Sequence, residues 1–554
     1  MTGKPQWIAK MYPNKPGRDH LGLGSVSSDQ ILPLLSPAIN VLTFHPRYHS
    51  FYLFLLDEFW RHDRIRSWGE WIRFFRPRDF LFAVGACLCD LPEHTDDTLP
   101  VGAQKLKVFR RSPLESYRYS DHVDYIKNEL GGYGLYYRSV MAELGLIYPG
   151  GTGFLYPIDT PTEYGKQVAA AFRQGVQTTR YYREYFEDDD PQVPQEIIHE
   201  YLDHACLCQL QVPSAPDRPL LLHTFLHGGN AVLAANRRQT FQLLLDIADQ
   251  TISSVITQDV FRQLLYFHAA DTGEVYRPRD VLVSVYQHWR LYQAREYYAF
   301  ALNSLWNYLC LWGLSNKGDY RPLSPTLFWR HLEDSLDVDT FADRLGLSRP
   351  GLKAGSDFHH LLAWLCSLMQ TNEEGFDTAC TLLSPVHERR LYLLTKENPG
   401  DPGTALIGMI ILLCLVYLRF GRDTYQQQSA WKEVAWKGEN GRLSLHEFVQ
   451  TIHQQLQRGT PTILDIARWL YRDYIILQHQ LVARSKLPEN TFRFQWEGKS
   501  LRFYRLPNSV DFMDSRFNAL RLTLAELGLS GDLSRLPHPL TQDGKQFLVE
   551  GDLV

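Results

Sequence analysis

MAELGLIYPGGTGFLYPIDTPTEYGKQ, Met141 to Gln167, and LAELGLSGDLSRLPHPLTQDGKQ, Leu524 to Gln546, say more about the fold than any other part of the chain. Each writes AELGL, then a turn-rich gap, then T-x-x-GKQ. An amphipathic run leads into each copy, YYRSVMAELGL in the first and SRFNALRLTLAELGL in the second. Gly145 and Gly528 stand where a helix needs a left-handed terminal residue, with Leu146 and Leu529 folding back onto the last turn. Thr162 and Thr541 occupy matching places, suited to cap a closing turn or helix.

Helix, glycine stop, extended return and short closing element resemble the recognition helix and wing of a winged helix-turn-helix module. In that class the second helix lies in the major groove and its early residues meet base edges. On the C-terminal copy those positions are Arg516, Asn518 and Arg521, with Arg535 and Lys545 near the wing. On the first copy they are Tyr136, Tyr137, Arg138 and Ser139, with Lys166 after the wing. Arg and Asn read guanine and adenine bidentately, so double-stranded DNA is the partner this pattern implies. Charge limits that expectation. Lys105–Arg173 holds nine Lys/Arg against seven Asp/Glu, and Ser485–Val554 holds nine of each. Phosphate neutralisation supplies most non-specific affinity, and neither copy is strongly basic. Packing against the rest of the chain, or against a partner protein, is the alternative use of each copy.

The whole chain, at 554 residues, exceeds one typical core and predicts several domains. Apolar content of 44% with 21% charged residues is that of a globular protein. A formal charge of −5 argues against coating nucleic acid through charge alone. The start, MTGKPQWIAKMYPNKPGRDH, lacks the apolar stretch of a signal peptide. The run ALIGMIILLCLVYL, Ala405 to Leu418, is short of the ~20 residues that span a bilayer, and reads as a buried core helix. A cytoplasmic protein without a membrane partner is expected.

Asp29 to Leu42 is turn-flanked text. Periodic apolar text then predicts three successive helices in FYLFLLDEFWRHD, WGEWIRFF and RPRDFLFAVGACLCDL, residues 51–91, with Pro77 in the first turn of the third. LPEHTDDTLPVGAQ (Leu91 to Gln104) and the acidic FEDDDPQVPQ (Phe186 to Gln195) read as boundaries. Helical text continues to about Leu481, and TFRFQWEGKSLRFYRL alternates around Glu-Gly-Lys as a hairpin does. The expected architecture is mainly α and multi-domain, with two small α+β winged helix-turn-helix modules. Its segments are a helical domain over residues 1–104, the first module over 105–175, a central helical domain over 176–485 and the second module over 486–554.

Motifs for catalysis are weak. HEYLDH, His199 to His204, spaces its histidines by five, so they do not share the helical face a zinc protease requires. His45 and His49 flank Pro46, which opposes one continuous helix across them. Cys87/Cys89 and Cys206/Cys208 are CxC pairs in apolar, helix-like text. Residues two apart on a helix diverge, so these read as inert core thiols rather than a shared metal site. Arg262 and His268 fit a loose R-x(4–6)-H ribonuclease spacing. Pro488 to Lys499 has the carboxylate and lysine of a metal-dependent nuclease, but Glu497-Gly498-Lys499 reads as a hairpin turn and not as a core strand. No phosphate-binding GxxxxGK[ST] and no G-x-S-x-G are present. In the helix His288 to Trp306, Arg290, Gln293, Glu296 and Asn303 form a polar side suited to a structural network, or to a groove. No catalytic residue, cofactor or metal ligand is expected.

The stretch Asp19 to Arg61 resembles the start of a group of bacterial proteins with the pattern "D-x-L-G-L … L-x-P-G-I-x-x-L-T-x-x-x-R-Y-x-S-F … W". The matching residues are Asp19, Leu21, Gly22, Leu35, Ile39, Leu42, Thr43, Arg47, Tyr48, Ser50, Phe51 and Trp60. Ser-Pro-Ala-Ile stands where Pro-Gly-Ile is usual. The resemblance implies a place in anti-phage defence or DNA-modification islands, beside helicases and nucleases. It carries no catalytic residue. The expected function is a non-catalytic DNA-binding or scaffold subunit of such an assembly. The alternatives are a divergent metal-dependent nuclease and a kleisin-like bridge on a chromosome-organising ATPase.

Overall fold

Ser67 opens the longest helix of the N-terminal region by accepting a hydrogen bond from the Glu70 N–H, and the helix then runs unbroken from Trp68 to Leu88. Pro77 lies inside it rather than in a first turn. Proline in a helix interior costs roughly 3 kcal/mol. Residues 74–88 are all buried, and each large apolar side chain among them contributes about 1.5–3 kcal/mol, so packing overrides the break. The computed structural model describes residues 19–62, 64–95, 97–317, 321–369, 381–421, 423–506, 508 and 510–553, the side chains of 317, 423 and 424 excepted.

Among those residues the protein is mainly α, with three small sheets of two, two and three strands. It divides into two units, each built from separated pieces of chain. One takes the described residues of Met1–Leu32, Val260–Arg277 and Tyr286–Met513; the other takes Pro33–Asp259, Pro278–Val285 and Asp514–Val554. This division differs from four consecutive segments, and it places both AELGL copies in the same unit.

The long helix Val283–Lys317 runs into the first of these units and is buried along most of its length. Aromatic contacts fix neighbours around it: Trp289 on Phe261, Tyr298 on Phe448 and Phe300 on Tyr392. Arg419 and Glu388, both fully buried, form an ion pair at 3.0 Å beneath the same core. The apolar run lies in the helical stretch Pro402–Phe420. By length and composition alone that stretch could cross a membrane, yet 89% of its most apolar window is buried in the protein, as a core helix is. The hairpin Phe494–Glu497/Ser500–Phe503 turns at Gly498 as the alternation predicts. It takes Pro322–Leu323 as a third strand and belongs to this unit.

The other unit is centred on Arg47–Arg61, which packs along Glu163–Val176. Arg173 joins the two helices through Asp57 and Glu58. The R-Y-x-S text is an internal clamp. Arg47 Nε donates to Asp217 at 3.3 Å, Ser50 Oγ donates to the same carboxylate at 2.6 Å, and Val101 N–H donates to the Tyr48 hydroxyl at 2.9 Å. FEDDDP is not a free linker, because Asp189 pairs with Arg64 at 2.9 Å and with Arg78 at 3.4 Å.

Candidate functional site

The two copies fold alike down to individual hydrogen bonds. Their helices, Arg138–Glu143 and Phe517–Glu526, end at Gly145 (φ 73°) and Gly528 (φ 74°), a conformation open to glycine at little cost. Leu146 N–H returns to Met141 O and Leu529 N–H to Leu524 O, both at 2.9 Å. Short extended segments follow, Ile147–Tyr148 paired with Thr160–Pro161 in the first copy and a single bridge between Ser530 and Leu540 in the second. Thr162 Oγ1 donates to Gly145 O at 2.9 Å and caps Gly165 N–H at 3.0 Å; Thr541 Oγ1 donates to Gly528 O at 2.7 Å and caps Gly544 N–H at 3.0 Å.

The glycine of GKQ has its own reason. A β-carbon on Gly165 would lie 2.2 Å from Leu146 O, and one on Gly544 would lie 1.8 Å from Leu529 O. The closing helices, Glu163–Val176 and Gln542–Glu550, therefore start in contact with the backbone that follows the first helix.

The glutamates of AELGL hold the segment that enters the motif R-Y-x-S. Ala38 N–H donates to Glu143 at 3.0 Å, and His45 Nδ1 lies 2.6 Å from Glu526 Oε1. Pro46 opens the helix at Arg47, so His45 and His49 do not share one. His49 packs inside against Tyr137 and Phe225, and burial lowers its pKa to about 4.

The residues expected to read DNA are dispersed by this packing. Arg516 is buried and donates to Ser36 O at 3.0 Å. Arg521 is buried, bonded to Asn518 at 3.1 Å and to Asp532 at 2.5 Å, with Asp97 at 3.4 Å. Eight of the ten residues of Phe517–Glu526 are buried, so that helix has no open face to lay in a groove. Tyr137 is fully buried among Tyr48, His49 and Tyr52, and loss of water around its hydroxyl pushes its pKa up. Arg138 is held by Asp159 at 2.6 Å and by Gly150 O at 2.7 Å. Ser139, Lys166, Arg535 and Lys545 are exposed. Of these, Lys166 pairs with Glu163 at 2.6 Å and Arg535 with Asp97 and Asp532, each at 3.5 Å.

What the structure exposes instead is apolar. Asp159 is buried and takes Arg138, the Tyr133 hydroxyl and Gly150 N–H, which makes the base of the first ribbon rigid. Beyond that base Leu155 is 87% exposed and Phe154 57%, and on the strand that leads into it Tyr148 is 53% exposed.

Other sequence candidates settle into structural roles. His199 and His204 lie on Gln195–Ala205, with His204 exposed. Arg262 donates to Met513 O at 2.6 Å, and His268 (φ 59°) lies 3.1 Å from the Tyr286 hydroxyl. Glu296 joins Ser27, Met513 N–H and Arg295, which is a structural network. Two to three helical turns further on, Ser304 and Asn307 line a cavity of about 190 Å³, smaller than the roughly 300–1,000 Å³ of ligand pockets.

The cysteines depart from the sequence expectation. Cys87, Cys310 and Cys414 are buried core thiols, and burial pushes Cys87 up to about 12. Cys89, Cys206 and Cys208 instead converge with His94, their ligand atoms all within 4.8 Å of one another. CxC side chains diverge only along a continuous helix, and neither pair lies within one. Cys89 follows the end of Trp68–Leu88 with ψ 129°, and Cys206 ends Gln195–Ala205 with ψ 148° before a 3₁₀ turn, Leu207–Gln211. Extended backbone at those points brings Cys89 to Cys206 and Cys208, while Cys87 stays in the core. Cys89 Sγ lies 3.8 Å from Cys208 Sγ, and Cys206 Sγ lies 3.6 Å from His94 Nδ1.

Comparison with protein-family models, with curated proteins and with solved structures finds no match for this chain.

Proposed function

We propose that this chain is a non-catalytic scaffold subunit of a bacterial anti-phage defence assembly. It engages a helicase or nuclease partner through the ribbon of the first of its two winged-helix-like modules. The observation that carries this reading is the ribbon tip. A fixed base at Asp159 presents Tyr148, Phe154 and Leu155 to solvent, which is the chemistry of protein docking rather than of phosphate contact. Burial of Arg516 and Arg521 favours a protein partner over DNA for the same reason. The presence of both modules in one unit supports a scaffold over a bridge that would hold its modules apart.

The test is co-expression with the helicase or nuclease encoded beside this chain, followed by size-exclusion chromatography. The triple variant Tyr148→Ser, Phe154→Ser, Leu155→Ser should keep its melting temperature and lose the complex at least tenfold. A complex that survives the triple variant removes the ribbon assignment. Duplex binding by the chain alone, abolished by Lys166→Ala with Lys545→Ala, would transfer the function to DNA.

A further inference from the structure

We propose that Cys89, His94, Cys206 and Cys208 are the four ligands of a structural zinc ion. Three thiolates and an imidazole are one of the standard donor sets of closed, four-coordinate zinc sites. Two edges of the cluster match that ion. With zinc–sulfur bonds of about 2.3 Å and zinc–nitrogen bonds of about 2.0–2.1 Å, a regular tetrahedron has sulfur–sulfur edges of about 3.8 Å and sulfur–nitrogen edges of about 3.6 Å. Cys89 Sγ to Cys208 Sγ is 3.8 Å and Cys206 Sγ to His94 Nδ1 is 3.6 Å. All four ligand atoms fall within 4.8 Å of one another, so they already gather around one point. The three cysteines are buried and His94 half-buried, leaving the ion shielded from solvent.

The surroundings support a structural role. Cys206 O accepts from Arg47 Nη1 at 2.6 Å, so the arginine of the R-Y-x-S clamp fixes the loop that carries two of the ligands. That arginine is in turn set by Asp217. On the other ligand loop, three residues beyond His94, Asp97 pairs with Arg521 and Arg535 of the second AELGL copy. The helix Phe517–Glu526 packs against the turn Leu207–Gln211, which contains Cys208. The ion would therefore staple two loops more than a hundred residues apart in sequence, and the second copy rests on the staple. Binding displaces the thiol protons, so the site holds metal more weakly as pH falls.

The test uses the full chain purified under reducing conditions. Metal analysis should find one zinc per chain, and exchange into cobalt(II) should give the ligand-field bands of a tetrahedral site with thiolate-to-cobalt charge transfer. Chelation should lower the melting temperature, and added zinc should restore it. Cys208→Ser and His94→Ala should lose the metal, whereas Cys366→Ser, at an exposed cysteine elsewhere, should keep it. If the ligand variants fail to fold, the cobalt spectrum of the parent protein decides. Reduced parent protein that melts cooperatively without metal, ignores zinc and gives no charge-transfer band overturns the proposal. A disulfide between Cys89 and Cys208 in the reduced preparation would do the same.

Discussion

His45 Nδ1 and Glu526 Oε1 lie 2.6 Å apart, with 2% and 1% of their side chains exposed, so a residue near the start of one unit is locked to the glutamate of its last AELGL. Glu143, the same letter of the first copy, meets the same segment at the buried Ala38, but its own side chain is exposed. One motif position therefore serves one strap in two environments.

The difference predicts unequal costs. Glu526→Ala strands a buried imidazole nitrogen and should cost about 1–3 kcal/mol, whereas Glu143→Ala removes a part-buried hydrogen bond from a carboxylate that faces solvent and should cost about 1 kcal/mol. Urea unfolding of the two variants checks this. Equal losses would show that the strap is held by something other than these carboxylates.

The closing helix of the first copy contains two glycines of opposite character. A β-carbon at Gly165 meets the Leu146 carbonyl, while one at Gly175 meets nothing within 4 Å. Gly165→Ala should destabilise by roughly 1–3 kcal/mol through forced backbone movement. Gly175→Ala should stabilise by about 0.5–1 kcal/mol, because alanine restricts the unfolded chain and suits a helix. Gly544→Ala should follow Gly165. Thermal melting of the three variants gives the signs, and a stabilising Gly544→Ala would separate the two copies.

How far the chain could be read follows from where each partner lies. The glycine stop and the threonine cap concern residues a few positions apart, and AELGL with T-x-x-G showed both. The reason for Gly165 lies at a carbonyl 19 residues back, which no local pattern contains. Arg516 and Arg521 have the residue types of base readers, but Ser36 and Asp97 are more than 400 residues away, so only the fold reveals that they face inward. For the cysteines the decisive fact was a helix boundary. Ending the helices at Leu88 and Ala205 lets Cys89 leave Cys87 in the core and meet Cys206 and Cys208, and boundaries are what periodicity fixes least well.

Two buried groups give opposite pH slopes. Burial raises Asp79 from 3.8 to about 6, against the lowering effect of Tyr125, Arg76 and Tyr52. The folded chain then keeps a proton that the unfolded chain releases, so this contribution is full below about pH 4 and is lost as pH rises through about 6. Burial lowers His49 from 6.5 to about 4, so its contribution is present above about pH 6.5 and is lost as pH falls towards 4. Each is worth on the order of 3 kcal/mol across its window. Asp79→Asn should gain stability over the parent at about pH 8, and His49→Asn should gain relative stability at about pH 5. Denaturant titrations at both pH values test the pair; matching slopes for parent and variant would remove the group concerned.

The C-terminal arginines carry the last prediction, because it separates packing from recognition. If Arg516, Asn518 and Arg521 read DNA from a free surface, changing them to Ala would weaken duplex binding and leave the melting temperature alone. The structure requires the reverse. Arg521→Ala leaves Asp532 and Asp97 without their buried cation, and Arg516→Ala removes the donor to Ser36 O. Each should cost about 1–3 kcal/mol. Arg535→Ala, at a surface ion pair, should cost under about 1 kcal/mol. A melting temperature lowered by the first two and spared by the third would assign these arginines to the fold. Reduced DNA binding in such variants would then report unfolding, so DNA contact has to be tested at Lys166 and Lys545, whose loss leaves the core intact.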